Sequence, residues 1–169
     1  MDKNTKKIVL NGLMISLVCL ATMAIQIPVP STNGYVNIGD TIIFITSILF
    51  GPIPGMIAGG IGSALADILS GYTHWALFTL IVKGLEGYVV GFIINKFKNT
   101  SLNIILSTLL GSVIMVFGYF VFGAYLSGGF GVSLLSVPSN CIQGVVSIFL
   151  AVPLASYLIN TKSVNYLKS

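Results

Sequence analysis

Two charged residues, Lys83 and Glu86, interrupt an otherwise apolar run in the segment VKGLEG. A charged side chain at the centre of a membrane helix costs roughly 2.5 to 3.5 kcal/mol on insertion, so it needs a compensating interaction. Residues three apart on a helix are neighbours, and these two can therefore pair. Together with Asp67 they predict one charged network, which either fixes helix register or lines a path for a ligand or an ion.

A second group of residues has the chemistry of a small-molecule site. Aromatic surfaces with a few amide or charged groups suit a small heteroaromatic ligand. The residues of this kind are Tyr35, Asn37, His74, Trp75, Tyr119, Asn140 and Gln143. Structural roles are the alternative. Asp40 is expected to cap a helix, the amides of Asn140 and Gln143 could satisfy backbone groups, and Trp75 alone is typical of an interfacial anchor.

Motifs for catalysis are missing from the sequence. It contains one histidine and no GxxxxGK[ST] phosphate loop, HExxH zinc motif or serine elbow. The two cysteines match neither a metal spacing nor a disulfide framework. We therefore expect no enzymatic activity, no metal and no cofactor, and any ATP-driven step would need a separate protein.

The composition indicates which elements carry these residues. Of the 169 residues, 55% are hydrophobic and 7% are charged, and the mean hydropathy is +0.99. These values lie outside the range of soluble domains. A membrane-spanning helix needs roughly 17 to 25 apolar residues. The sequence predicts an all-α integral membrane protein, a single domain over residues 1–169 with six transmembrane helices in one compact bundle: about 7–27, 38–51, 54–72, 75–95, 102–126 and 138–160.

The lysines predict the orientation of the bundle. The net charge is +4, and seven of the eight basic residues lie near the termini or in the KFKNTS connection: Lys3, Lys6, Lys7, Lys96, Lys98, Lys162 and Lys168. This placement indicates cytoplasmic termini rather than nucleic-acid binding. If both termini and Lys96 are cytoplasmic, an even number of spans must precede Lys96 and an even number must follow it. Six spans satisfy this requirement, with four before Lys96 and two after it. A signal peptide cleaved near 22–24 is the alternative for the first helix, but it would leave five spans.

Small residues recur every four positions in the third span: Gly51, Gly55, Gly59, Ser63, Asp67 and Gly71. This spacing lets helix backbones approach closely in a bilayer, so internal packing is expected, with partner docking as the alternative. The first helix carries another pair, Gly12 and Ser16, for which a partner-facing role is favoured.

The order of these motifs resembles the S components of energy-coupling factor (ECF) vitamin transporters. The resemblance covers nearly the whole chain and rests on YVNIGD, GPIPGMIAGGIGSALADILSG, VKGLEG and VPSNCIQG. It implies a bacterial cell-membrane protein that captures a vitamin or vitamin precursor outside, in a pocket closed by the first external loop. It also implies partners, namely a transmembrane coupling protein and two cytoplasmic ATPases, and delivery by toppling in the membrane. The expected substrate contacts are Tyr35, Asn37, Lys83, Glu86, Tyr119, Asn140 and Gln143.

Within this family the sequence is most similar to the riboflavin, hydroxymethylpyrimidine and pyridoxine group. The size and polar groups of the expected pocket favour the pyrimidine or pyridine over the flavin. The family's partner contact uses small residues on the first helix, commonly alanines four apart, and Gly12 and Ser16 occupy that place here. Two other functions remain open. One is a stand-alone secondary carrier or channel with Asp67, Lys83 and Glu86 as an ion relay; the other is a small membrane enzyme or assembly protein, for which no catalytic pair is found.

Overall fold

Each of the six predicted spans coincides with a helix in the computed structural model, which describes residues 2–97 and 100–159. The helices are α1 (Lys3–Ala24), α2 (Gly39–Phe50), α3 (Pro52–Leu69), α4 (Thr73–Phe97), α5 (Ser101–Ser127), α6 (Phe130–Leu134) and α7 (Val137–Ile159). By length and composition α1, α3, α4, α5 and the α6–α7 segment can cross a membrane, whereas α2 has only 12 residues.

Two elements of the structure were not predicted. Between α1 and α2 the chain forms an antiparallel hairpin of β1 (Gln26–Val29) and β2 (Gly34–Asn37), joined by a 3₁₀ turn (Pro30–Thr32). The end of the first predicted span, residues 26–27, belongs to this hairpin. The short helix α6 lies in the loop before α7. Prolines in the hairpin segment and glycines in both segments indicate turns in the sequence, so neither element was expected.

Backbone contact between α3 and α4 explains the small residues of the third span. A Cβ atom added to Gly59 would lie 2.6 Å from the carbonyl oxygen of Lys83, and one added to Gly87 would lie 2.3 Å from that of Gly55. Such distances leave no room for a side chain. At the start of α3, Gly51 adopts a φ of 93° that favours glycine. The interpretation of this stripe as internal packing is therefore correct for its glycine-rich first half.

The interior of the bundle contains an apolar core cluster and a separate group of buried charged and amide side chains. The core cluster contains Phe44, Ile48, Val90 and Ile94, packed against the start of α5 and the end of α7. The buried charged and amide side chains lie toward the hairpin, where α2 begins and α3 ends, whereas hydroxyl side chains such as Ser47 and Ser107 are buried beside the apolar core. Lys98, Lys162 and Lys168 lie outside the described residues, and the cytoplasmic position of the termini stays a prediction.

Candidate ligand-binding site

The hairpin covers one end of the bundle and is held there by hydrogen bonds to α4 and the end of α3. The Gln26 side-chain amide donates to the Ser70 hydroxyl at 2.9 Å. The indole N–H of Trp75 donates to the carbonyl oxygen of Thr32 at 3.3 Å. Because these contacts lie at both ends of the hairpin, it is fixed across the mouth of the bundle.

A cavity of about 30 Å³ lies beneath the hairpin. Its walls come from α1, the hairpin, α3, α4, α5, the loop before α7 and α7 itself. The lining residues are Thr22, Val29, Thr32, Gly34, Tyr35, Asn37, Ser63, Asp67, Trp75, Thr79, Tyr119, Ser136 and Asn140. The lining combines three aromatic side chains with hydroxyls and two amides. Such a surface can stack on a flat ring and form hydrogen bonds with its substituents.

A hydrogen bond between Tyr35 and Asp67 joins the hairpin to α3 within this cavity. The phenol donates to Oδ1 of Asp67 at 2.6 Å. Burial and the neighbouring Asp67 carboxylate raise the pKa of Tyr35, so the phenol keeps its proton and remains a donor. The second carboxylate oxygen of Asp67, Oδ2, is buried and has no hydrogen-bond partner in the part of the chain that the structure describes.

The aromatic wall of the cavity is formed by Trp75 and Tyr119. Their ring centroids are 5.6 Å apart and the planes meet at 74°, an edge-to-face arrangement. The phenol of Tyr119 donates to the Thr79 hydroxyl at 3.3 Å, which fixes the ring against α4. Trp75 is 5% exposed, so it belongs to the site and does not anchor the protein at the membrane surface.

A buried charged network lies next to the cavity. The ammonium group of Lys83 pairs with the Asp40 carboxylate and with Glu86, the latter at 3.0 Å, and all three side chains are at most 1% exposed. The Gln143 amide donates to Oδ2 of Asp40 at 2.8 Å and accepts from the backbone N–H of Asn37 at 2.8 Å. Gln143 therefore links the charged network to the end of β2.

Comparisons with known proteins identify the family. The family model of the ECF-type riboflavin transporter, S component, matches residues 2–160. This chain belongs to the S component family of ECF-type transporters. The predicted resemblance is thereby confirmed, together with an all-helical membrane fold, a vitamin-transport role without enzymatic activity, and a multi-pass location in the membrane.

Individual proteins are similar to this chain over most of its length. The S component is 30% identical to the thiamine precursor transporter HmpT of Lactococcus lactis over 97% of this chain and 94% of that protein. It is 44% identical to an uncharacterized protein of Pyrococcus woesei over 79% of this chain and 88% of that one. A solved structure of the S component of a bacterial ECF transporter covers 99% of this chain with a TM-score of 0.69 and 16% identity, which shows a shared fold.

The structure separates the seven predicted contact residues of this S component into two groups. Four of them line the cavity: Tyr35, Asn37, Tyr119 and Asn140. Lys83, Glu86 and Gln143 are absent from the lining and belong to the buried network beside it. Lys83 remains close to the site, because its Nζ atom lies 5.4 Å from the centroid of the Tyr119 ring.

Two predictions about the carboxylates were wrong. Asp40 was expected to cap α2, but its side chain makes no capping hydrogen bond and instead accepts from Lys83 and Gln143. Asp67 was expected in the network of Lys83 and Glu86, but its side chain accepts a hydrogen bond from Tyr35 instead. The proposed relay of Asp67, Lys83 and Glu86 therefore lacks a direct ion pair between Asp67 and Lys83 among the described residues.

Sequence reasoning also missed residues that line the cavity. Trp75 was grouped with the residues of a small-molecule site but left out of the expected substrate contacts, because a tryptophan alone is typical of an interfacial anchor. The hydroxyl residues carried no signal, because serine and threonine are common in membrane helices. These residues are Thr22, Thr32, Ser63, Thr79 and Ser136. For Asp67 a signal was present, since an ionisable residue within a membrane span indicates function.

Proposed function

We propose that this S component captures a small heteroaromatic vitamin precursor in the cavity beneath the hairpin. Hydroxymethylpyrimidine or pyridoxine is our preferred substrate, followed by riboflavin. One observation carries the proposal: a buried cavity brings the rings of Trp75 and Tyr119 together with the amides of Asn37 and Asn140. Stacking would bind the flat face of the ligand, and the amides would bind its substituents.

The small size of the cavity supports a ligand with one ring. A cavity of about 30 Å³ is larger than the roughly 10 to 15 Å³ that one water molecule requires and leaves little additional room. A pyrimidine or pyridine needs less additional room in this cavity than a flavin with its ribityl chain. The similarity to a thiamine precursor transporter supports the same choice, whereas the description of the family model names riboflavin.

Transport would require the partners with which S components work. We propose that a transmembrane coupling protein and two cytoplasmic ATPases drive the release of substrate after the S component topples in the membrane. The small residues Gly12 and Ser16 on α1 are both exposed, and a Cβ atom at Gly12 would meet nothing within 4 Å. This surface supports their assignment to the partner contact, since no other part of the described bundle covers it.

Replacing Asn140 by alanine tests the binding site. Asn140 lines the cavity and is 7% exposed, and removal of one hydrogen bond to a buried ligand corresponds to roughly a 2- to 15-fold loss of affinity. We expect Asn140→Ala to weaken ligand binding by about this factor, measured by calorimetric titration, with the folded yield intact. Cys141→Ala, at the exposed neighbouring position, is the control. Reduced yield with unchanged affinity would instead show that Asn140 has a structural role.

A further inference from the structure

We propose that Asp67 selects the ligand: its free carboxylate oxygen accepts a hydrogen bond from an N–H or O–H group and rejects ligands that carry an anionic group. The inference rests on the proposed function, since it concerns the same cavity, and it narrows the class of substrate. Neutral or cationic heteroaromatic compounds with an amino or hydroxyl substituent would bind, whereas carboxylates and phosphate esters would not.

Asp67 is the only charged residue among those that line the cavity. The nearby cation, Lys83, is 1% exposed and is already paired with Asp40 and Glu86. An anionic ligand would therefore meet a carboxylate without a free counter-charge. Like charges repel strongly in a site that excludes water, so such a ligand is disfavoured.

The two oxygens of the Asp67 carboxylate are used differently. Oδ1 accepts from the phenol of Tyr35 at 2.6 Å. Oδ2 is buried and has no hydrogen-bond partner in the described structure, in a side chain that is 4% exposed. Thr79 lies beside the same carboxylate, but the geometry leaves Oδ2 unbonded. A buried acceptor without a partner is unfavourable, and a donor on the ligand would remove this penalty.

The position of Asp67 also connects ligand recognition to the hairpin. Tyr35 belongs to β2 and reaches the same carboxylate that would bind the ligand. Because Oδ1 is occupied, the ligand can use one donor on Oδ2 and not a pair of parallel donors. An exocyclic amino group or a hydroxymethyl group meets this requirement, and the preferred pyrimidine carries both.

The test compares ligands that lack one donor at a time. Binding of 4-amino-5-hydroxymethyl-2-methylpyrimidine would be measured by calorimetry for the purified wild-type protein and for Asp67→Asn. Two analogues replace the amino group by hydrogen or the hydroxymethyl group by a methyl group. We expect one of the two analogues, the one that lacks the donor to Asp67, to bind the wild-type protein about 10-fold or more weakly, as for a hydrogen bond to a charged group. The same analogue should bind Asp67→Asn with nearly the affinity of the parent pyrimidine. Equal losses in both proteins would overturn the inference.

A measurement on the wild-type protein alone covers the case in which Asp67→Asn does not fold. A pyrimidine with a carboxylate in place of the hydroxymethyl group has nearly the same size, and we expect it to bind at least about 100-fold more weakly. Equal affinity for the acid and the alcohol would overturn the role of Asp67 while the proposed function stands. If the wild-type protein bound neither pyrimidines, pyridoxine nor riboflavin, the proposed function would fail and this inference with it.

Discussion

Replacing Lys83 by methionine is expected to destabilise the protein by about 3 to 5 kcal/mol, because the change leaves two buried carboxylates without their counter-ion. Asp40 and Glu86 are both 0% exposed, and each forms its ion pair with Lys83. Methionine keeps much of the length of the side chain, so the loss of charge dominates over the loss of packing. The measurement is thermal unfolding of the detergent-purified protein, followed by tryptophan fluorescence from Trp75.

A neutralised combination is the control for this prediction. Lys83→Met together with Asp40→Asn and Glu86→Gln removes all three charges and retains side chains of similar volume. Because a buried ion pair contributes little net stability compared with neutral groups of the same shape, we expect this triple variant to be more stable than the single variant. A single variant as stable as the wild type would contradict a role for the network in holding α2 against α4.

Replacing Gly87 by alanine is expected to separate α3 from α4 and to destabilise the bundle by about 1 to 3 kcal/mol or more. The added Cβ atom would lie 2.3 Å from the carbonyl oxygen of Gly55, and backbone cannot move aside as a side chain can. Asp67 on α3 and Thr79 on α4 both line the cavity. We therefore expect weaker ligand binding as well as a lower unfolding temperature.

Gly84 offers a matched control on the same helix, less than one turn away. A Cβ atom there would have its nearest neighbour, the Met56 side chain, at 3.7 Å, an ordinary contact distance. Alanine is also a better helix former than glycine. We expect Gly84→Ala to match or exceed the wild type in unfolding temperature. Equal behaviour of Gly84→Ala and Gly87→Ala would show that close backbone approach does not hold these helices together.

The helices could be predicted because their signal is local. A run of apolar residues of the right length identifies a span wherever it lies in the chain, and the turn at GPIP separates α2 from α3. The pair of Lys83 and Glu86 is equally local, since three residues on a helix fix their separation. These parts of the sequence therefore predict the structure without knowledge of how the helices pack.

The cavity and the rest of the network depend on packing between distant segments. Asp40 and Lys83 are 43 residues apart, and Gln143 is 103 residues from Asp40. Their contact follows from the packing of α2 against α4 and α7, which no local pattern encodes. The same holds for Trp75, whose indole is buried only because the hairpin folds over it. Sequence patterns thus indicated four of the residues that line the cavity, Tyr35, Asn37, Tyr119 and Asn140, but not their partners.

Binding of candidate substrates to the purified wild-type protein tests the proposed function most directly. Calorimetric titration with hydroxymethylpyrimidine, pyridoxine and riboflavin would use the same ligand-free preparation, confirmed as folded by its unfolding transition. We expect the pyrimidine or pyridoxine to bind and to raise the unfolding temperature, because a ligand that binds only the native state stabilises it. Micromolar binding of riboflavin, with none for pyridoxine or the pyrimidine, would contradict a site built for a single small ring.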